Sequence, residues 1–565
     1  MFRHAAILVG LCGLTFLVGL GQPALTDSDE AFYAESAREM VERNDWLTPY
    51  FNGQPRFEKP VLYYWLAAAA YQIAGVSPGA ARLPSALAGF GLVFVAWACA
   101  RRYYGAPTAL MAGVVAATCF AAVAMAHQSL PDLPLAFLIA LSTWASLVGL
   151  LEETAHDGGA AADGRHRRAW LVVAGVAAAG AFLVKGPVGP VLVALAVVPA
   201  AAFDWWRGGA LWRARTVDVL LAAALFFLLA LPWYGAMAIG HGSAYLDRFF
   251  FAENFDRFAT DRYNDPRPIW YYVPIVAGGM LPWTPFMTLW IPALRRAWNR
   301  REFDTRAVRL VAWAAVPLLF YTLSVGKQPR YILPMLVPLA VLIGRALTQA
   351  MQADATRTDR RLFVAGGVAA GIVVALIGAS VWYARALLIQ RPGVVVGGVA
   401  DAIAMVGGIA ATVTLWAAWK SRYLRAVPVA IAAAVVVTAA ATRTMVLAGP
   451  GPAPVERMAS LVAEARQADE PYGRYRVFDR NLVYYVGTPH TELVSLEAVR
   501  DFLRSPERVL VVLRSDDAEA LALRGVPFAR IAGVPYVNTG NFNLRTFLDP
   551  DPDRYVLTVL LIANR

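Results

Sequence analysis

AWLVVAGVAAAGAFLVKGPVGPVLVALAVVPAAAF, residues 169–203, reads as two apolar segments parted by Lys185-Gly186-Pro187. Each half approaches the length that crosses a bilayer, and Gly-Pro either kinks one long span or ends one helix and starts the next. The distinction decides topology, because one span more or less inverts every loop that follows. Lysine and arginine collect in the cytoplasmic loops of membrane proteins. With the split, Arg101 and Arg102, then Arg165, Arg167 and Arg168, then Arg207, Arg213 and Arg215 all share one side. Further along, Arg295, Arg296, Arg300 and Arg301, then Arg357, Arg360 and Arg361, then Lys420, Arg422 and Arg425 fall on that same side. Two helices are therefore expected.

The rest of the 565 residues agrees: 58% are hydrophobic and 16% charged, and the mean hydropathy is +0.49, so lipid must solvate most of the chain. Other runs of spanning length lie near 79–100, 107–126, 131–151, 216–238, 270–293, 307–325, 331–350, 361–385, 394–419 and 424–447. Residues 5–20 follow Arg3 without a small-residue cleavage site and read as a retained first helix. About thirteen transmembrane helices are expected. The net charge of +11 sits in short clusters between apolar runs, as topology signals do, which excludes nucleic acid as the natural partner. Cys12, Cys99 and Cys119 lie inside apolar runs with no disulfide or metal spacing.

A hinge, Gly449-Pro450-Gly451-Pro452-Ala453-Pro454, divides an expected membrane domain, 1–448, from an α/β domain, 449–565. In the latter, 508–513 and 555–562 read as buried strands and 496–503 and 517–523 as helices. An odd number of spans places this domain on the outer side.

Residues 22–78 form the first outer loop, too polar to span and too patterned for a linker. It opens with Asp27-Ser28-Asp29-Glu30-Ala31-Phe32-Tyr33-Ala34-Glu35, whose spacing predicts an interfacial helix capped by Asp27 or Ser28. Acids in a first helical turn gain about 0.3–1 kcal/mol each from the helix dipole, their plain structural use. Clustered beside a membrane surface, they are also candidates for chemistry. Asp27-Ser28-Asp29 fits the short Asp-x-Asp pattern of nucleotide-sugar enzymes, but no Gly-rich phosphate loop follows a strand nearby. Further on stand Arg56, Phe57-Glu58-Lys59-Pro60 and the aromatic Tyr63-Tyr64-Trp65. Arg56 and Lys59 either snorkel to lipid phosphates or clamp one specific phosphate.

Asp132, at the start of a span, is a functional candidate because a carboxylate at the membrane edge is costly. Residues 326–331 return Lys327 and Arg330 to the same outer face, and 240–268 add Glu253, Arg257, Arg262 and Arg267. Glu58 and His241 have the donor chemistry for a divalent ion such as zinc, although two ligands fall short of a site.

Asp29-Glu30-x-x-Tyr33-Ala34-Glu35, Phe57-Glu58-Lys59-Pro60, Val184-Lys185-Gly186, Leu231-Pro232-Trp233, Trp270-Tyr271-Tyr272-Val273-Pro274 and Lys327-x-Pro329-x-Tyr331 are spread over the membrane part. Together they resemble the lipid A aminoarabinose transferases of the protein O-mannosyltransferase superfamily. The resemblance implies a membrane α-helical GT-C glycosyltransferase fold in the bacterial inner membrane, with a small periplasmic α/β domain. It also implies inverting transfer of 4-amino-4-deoxy-L-arabinose from undecaprenyl phosphate to a phosphate of lipid A, lowering polymyxin susceptibility. On this basis Asp29, Asp132 and Lys59 are expected in catalysis, and Glu30, Tyr33, Arg56, Arg257, Lys327 and Tyr331 in substrate binding. No cofactor is required by such a reaction, and a zinc ion at Glu58 and His241 stays open. Other readings are a protein O-mannosyltransferase or another polyprenyl-phosphate sugar transferase, and a lipid or sugar transporter. A transporter should show internal repeats and charges near the midplane, whereas here no repeat emerges and the acids gather in the outer loop.

Overall fold

The computed structural model describes residues 2–151, 159–206, 216–256, 266–383, 396–420, 423–447, 451–467, 469–537 and 556–565. Among them, ten helices are long and apolar enough to cross a membrane, or eleven if Ala106–Thr118 and Phe120–Ala126, bent by 54°, form one span. Lys185-Gly186-Pro187 is a true break: one helix ends at Lys185, Gly186 takes a φ of 80°, and the next runs Val188–Trp206. Glycine alone enters that left-handed region without a Cβ penalty, and proline then starts a new helix more readily than it continues an old one.

One expected span, at 5–20, is displaced toward the N-terminus, and another is shorter than the sequence suggests. Phe2–Leu17 is an apolar helix of subspanning length that stops before Gly19, whose φ is 72°. The run expected at 270–293 holds Ile269–Gly279, then a 3-10 segment Thr284–Leu289, then Trp290–Arg300. Gly278-Gly279 and Pro282 withdraw helix propensity and a backbone donor where continuity would be needed. Arg207, Arg213, Arg215, Arg422, Gly449 and Pro450 lie outside the described residues.

Small residues let the helices approach closely, as expected where lipid gives no hydrophobic drive for association. A Cβ on Gly344 would lie 2.6 Å from the backbone nitrogen of Ala112 in the helix Ala106–Thr118. Gly344→Ala is therefore expected to destabilise the purified protein by about 1–3 kcal/mol through overpacking. An unchanged melting temperature would show that the two helices can part freely.

The outer loop folds into the helix Asp29–Arg43, a two-stranded hairpin β1 (Tyr50–Phe51) and β2 (Gln54–Pro55), and the helix Leu62–Ala74. Expected to lie at an interface, Asp29–Arg43 is instead enclosed by protein. Glu30 through Met40 are buried apart from the half-buried Phe32. The Tyr71 hydroxyl donates to the Ala34 carbonyl at 3.1 Å, and Tyr33, Tyr63, Tyr64 and Tyr484 share one apolar cluster around the helix.

Tyr484 belongs to the C-terminal unit. Its strands are β3 (Tyr472–Arg474), β4 (Thr491–Glu492), β5 (Leu510–Arg514), β6 (Ala529–Val537) and β7 (Val556–Ala563), in spatial order β4-β3-β5-β7-β6. β3 pairs in parallel with β4 and β5, while β7 runs antiparallel to β5 and β6. Leu510 and Val512 pack on one face with Val455 and Met458; Val511 and Leu513 pack on the other with Val499 and Leu521. Burial on both faces explains why this strand is apolar throughout instead of alternating.

Candidate active site

Ser28 caps the helix Asp29–Arg43, its hydroxyl accepting from the Glu30 backbone N–H. Successive helical residues point about 100° apart, so the first two acids of the turn face different surroundings. Asp29 reaches a cavity of about 460 Å³, where Arg330 donates to its Oδ2 and Arg480 to its Oδ1 at 2.7 Å. Burial pushes the Asp29 carboxyl up, but Arg330, Arg480 and Arg56 outweigh it and hold the group at about 2. It is thus a carboxylate at any working pH.

Asp132, at the head of the helix Asp132–Leu151, lines the same cavity. Lys185 lies 2.5 Å from its Oδ1, and Arg330 Nε lies 3.4 Å from its Oδ2. The charges alternate along one line: Lys185, Asp132, Arg330, Asp29, Arg480. Alternation lets several cations converge without mutual repulsion and keeps their donors oriented. The Lys185 ammonium also stands 4.8 Å from the Tyr331 ring centroid.

Lys59 enters the cavity from the other side. Its Nζ lies 2.6 Å from Glu253 Oε2 and 2.8 Å from the Glu58 carbonyl oxygen. Arg56 stacks over Phe32 at 4.0 Å and faces Tyr33 at 5.7 Å. Tyr33 itself is packed against Tyr63 and Tyr64 and also lines the cavity. A second cleft of about 380 Å³, mostly apolar, opens beside the first along Val188, Val191, Phe249, Phe250 and Phe320. Glu58, Lys59, Lys185, Glu253 and Tyr331 line both spaces.

Asp29, Asp132, Lys59, Tyr33, Arg56, Glu58 and Tyr331 therefore converge on one cavity. Glu30 does not: it turns inward to Arg82, 2.7 Å away, and accepts from the Ser129 backbone N–H. Lys327 also turns away and donates to the Ser324 carbonyl, satisfying the end of the helix Thr305–Leu323, where a cation is favoured. Arg330 takes the place expected of Lys327. Arg257 and Arg262 lie outside the described residues. Lys185 was visible in the sequence only as a topology and family signal, and Arg480 carried no signal at all.

His241 Nε2 meets the Thr48 hydroxyl at 2.8 Å, while Glu58 pairs with Arg248 at 2.9 Å. Among the described residues no third His, Cys, Asp or Glu completes a metal-binding group with them. The donor set falls short of the usual four-coordinate zinc site.

Residues 22–243 match the family described as dolichyl-phosphate-mannose-protein mannosyltransferase. The chain is similar to the undecaprenyl phosphate-alpha-4-amino-4-deoxy-L-arabinose arabinosyl transferase of Enterobacter sp. (strain 638): 31% identity over 383 residues, 66% of this chain and 64% of that protein. It is similar also to the protein of that name from Pseudomonas aeruginosa (strain LESB58), at 34% identity over 62% of this chain and 60% of the relative. Both matches span less than two thirds of the relative's length. The crystal structure of ArnT from Cupriavidus metallidurans bound to undecaprenyl phosphate superposes with a TM-score of 0.75 at 21% identity, covering 99% of this chain and 98% of that one. The shared fold is thus a GT-C-like membrane fold that includes the C-terminal α/β unit.

Proposed function

We propose that this chain, similar to the aminoarabinose transferases across its membrane part and sharing their fold over nearly its whole length, is an integral membrane glycosyltransferase moving 4-amino-4-deoxy-L-arabinose from undecaprenyl phosphate to lipid A. The observation that carries this reading is the shared lining: Glu58, Lys59, Lys185, Glu253 and Tyr331 face both the polar cavity and the apolar cleft. A polyprenyl tail lies in the cleft while its phosphate meets Lys59 in the cavity.

The topology that goes with this function has about thirteen spans, counting the bent pair and the short apolar helices Phe2–Leu17 and Ile269–Gly279 with the ten longer ones. Residues 1–448 then form the catalytic domain in the bacterial inner membrane, and 449–565 stand in the periplasm. An aminated sugar caps an outer phosphate with a cation, so the surface attracts polymyxin and other polycations less.

In the reaction, an acceptor phosphate oxygen attacks the anomeric carbon and forms the new C–O bond. The bond from that carbon to the donor phosphate breaks, undecaprenyl phosphate departs with the electron pair, and the configuration inverts. A phosphate monoester has its second pKa at about 6, so it is already nucleophilic at neutral pH. Asp29, a carboxylate far more acidic than a base poised near neutrality, stabilises positive charge developing on the sugar and orients Arg330 and Arg480.

Asp29→Asn is expected to slow transfer by about tenfold, the scale of one lost charged hydrogen-bond network; a loss of about 10²–10⁴-fold would mark a true general base. The acid limb of the rate should lie near pH 6, from the acceptor, and should persist in Asp29→Asn. Its disappearance in the variant would assign that limb to Asp29. For the activity itself, mass spectrometry of lipid A from cells with and without the protein should differ by one aminopentose per modified phosphate. An unchanged spectrum, or sugar appearing on protein instead, would refute the acceptor. Purified protein that moved no labelled sugar between two lipids would refute transfer.

A further inference from the structure

The C-terminal unit is tied to the outer loop by a row of directional contacts. Asp27 accepts from the backbone N–H groups of Asp479 at 2.9 Å and Arg480 at 2.7 Å. The Leu25 N–H donates to the Tyr485 hydroxyl at 2.7 Å, and Asn52 and His490 exchange two bonds, each of 2.9 Å. These contacts fix where segment 479–492 sits, so its side chains are aimed with the precision of the catalytic loop itself. Two of them, Arg480 and Glu492, line the polar cavity.

Arg480 is placed for more than docking. Its guanidinium lies 4.7 Å over the Phe32 ring and 2.7 Å from Asp29, with 39% of the side chain still exposed. It lines the polar cavity but not the apolar cleft, whereas Lys59 and Lys185 line both. Asp29 thus stands between Arg480, carried by the C-terminal unit, and Arg330, which Asp132 joins in turn to Lys185 beside the cleft. A guanidinium has five donors in a fixed fork. Asp29 occupies only part of each fork and holds both planes in orientation, leaving donors for an oxyanion.

We propose that Arg480 binds the acceptor's phosphate, making the C-terminal unit one wall of the transfer site, with a lipid-borne phosphate monoester as its ligand. This rests on the transfer reaction proposed above. The donor phosphate takes the Lys59 side, continuous with the cleft; the acceptor phosphate takes the Arg480 side, continuous with the outer surface. Asp29 stands between them, where the sugar passes.

The test uses the full-length protein in proteoliposomes, with undecaprenyl phosphate-aminoarabinose and lipid A varied separately. Arg480→Gln should raise the acceptor KM about tenfold or more, the scale of a lost charge-assisted bond, and leave the donor KM within about twofold. Arg480→Lys should recover part of the loss. Inorganic phosphate should compete with the acceptor in the wild type and distinctly less in Arg480→Gln. An unchanged acceptor KM, or an equal rise in both KM values, would overturn the proposal, the latter making Arg480 a structural prop. Should Arg480→Gln fail to purify as a folded species, Arg480→Lys carries the test by the same split. A wild type that transfers no aminoarabinose would sink the proposed function instead, so the two failures are distinguishable.

Discussion

Replacing Lys59 by alanine is expected to slow sugar transfer by on the order of a hundredfold or more, the scale on which removing one preorganised charge donor from a closed site acts. Two effects combine. The departing phosphate loses the cation placed between cleft and cavity, and Glu253, only 4% exposed, loses an ammonium 2.6 Å away. A carboxylate left with less positive charge then repels the phosphate that must bind beside it. The Lys59–Glu253 pair thus presets the ammonium, and the donor phosphate must compete with Glu253 for it. Lys59→Arg should retain part of the activity, because charge is kept while the point geometry of an ammonium is replaced by a planar fork. Lys59→Ala combined with Glu253→Gln should recover part of what Lys59→Ala loses. Initial rates with labelled donor in proteoliposomes decide this; near-normal turnover for Lys59→Ala would remove the residue from the site.

Hydropathy carried most of the membrane architecture, because a spanning run averages over enough residues to survive local exceptions. The split at Lys185 was legible from Gly-Pro and from the arginine clusters beyond it. The helix Ile269–Gly279 read longer than it is, since apolar composition does not register where glycine and proline end a helix. In the C-terminal unit, β5 and β7 stood out as apolar strands, whereas β6 did not. β6 contains Gly533 and Pro535 and lies at the sheet edge, the one place where a strand proline leaves no ladder donor missing.

The site was half legible for a different reason. Residue type and local spacing pointed to Asp29, Lys59 and Asp132, but not to the partners that orient them. Asp29 meets Arg330 and Arg480 across 301 and 451 residues of chain. No local period encodes such pairs. Direction misled twice: Glu30, beside Asp29, faces Arg82 instead of the cavity, and Lys327, three residues before Arg330, turns back on the preceding helix end.

The largest loss of stability is expected at Arg82, which an apolar run concealed. Arg82 is 1% exposed and donates through Nε to Glu30 at 2.7 Å, with a further bond to its other oxygen at 3.3 Å. Its remaining donors reach the carbonyls of Leu20 at 2.9 Å, Pro23 at 2.7 Å and Ala24 at 3.1 Å. Glu30 in turn accepts from the backbone N–H groups of Thr26 and Ser129, each at 3.1 Å. One ion pair therefore joins the chain leaving the first helix, the head of the Asp29–Arg43 helix and the segment leading to Asp132. Arg82→Met fills much of the volume but leaves Glu30 buried without this guanidinium, a change worth about 3–5 kcal/mol when one half of a buried pair is removed. Glu30→Gln should cost less, because the amide keeps an oxygen for Arg82. Removing both charges, in Arg82→Met with Glu30→Gln, should be milder than Arg82→Met alone, the mark of a buried charge left uncompensated rather than of lost packing. Thermal unfolding of detergent-purified variants supplies the comparison. If Arg82→Met melts with the wild type and keeps the wild-type rate of the proposed transfer, the staple does not position the cavity carboxylates Asp29 and Asp132; if it melts early, that rate should fall with it, since both residues are anchored through this pair.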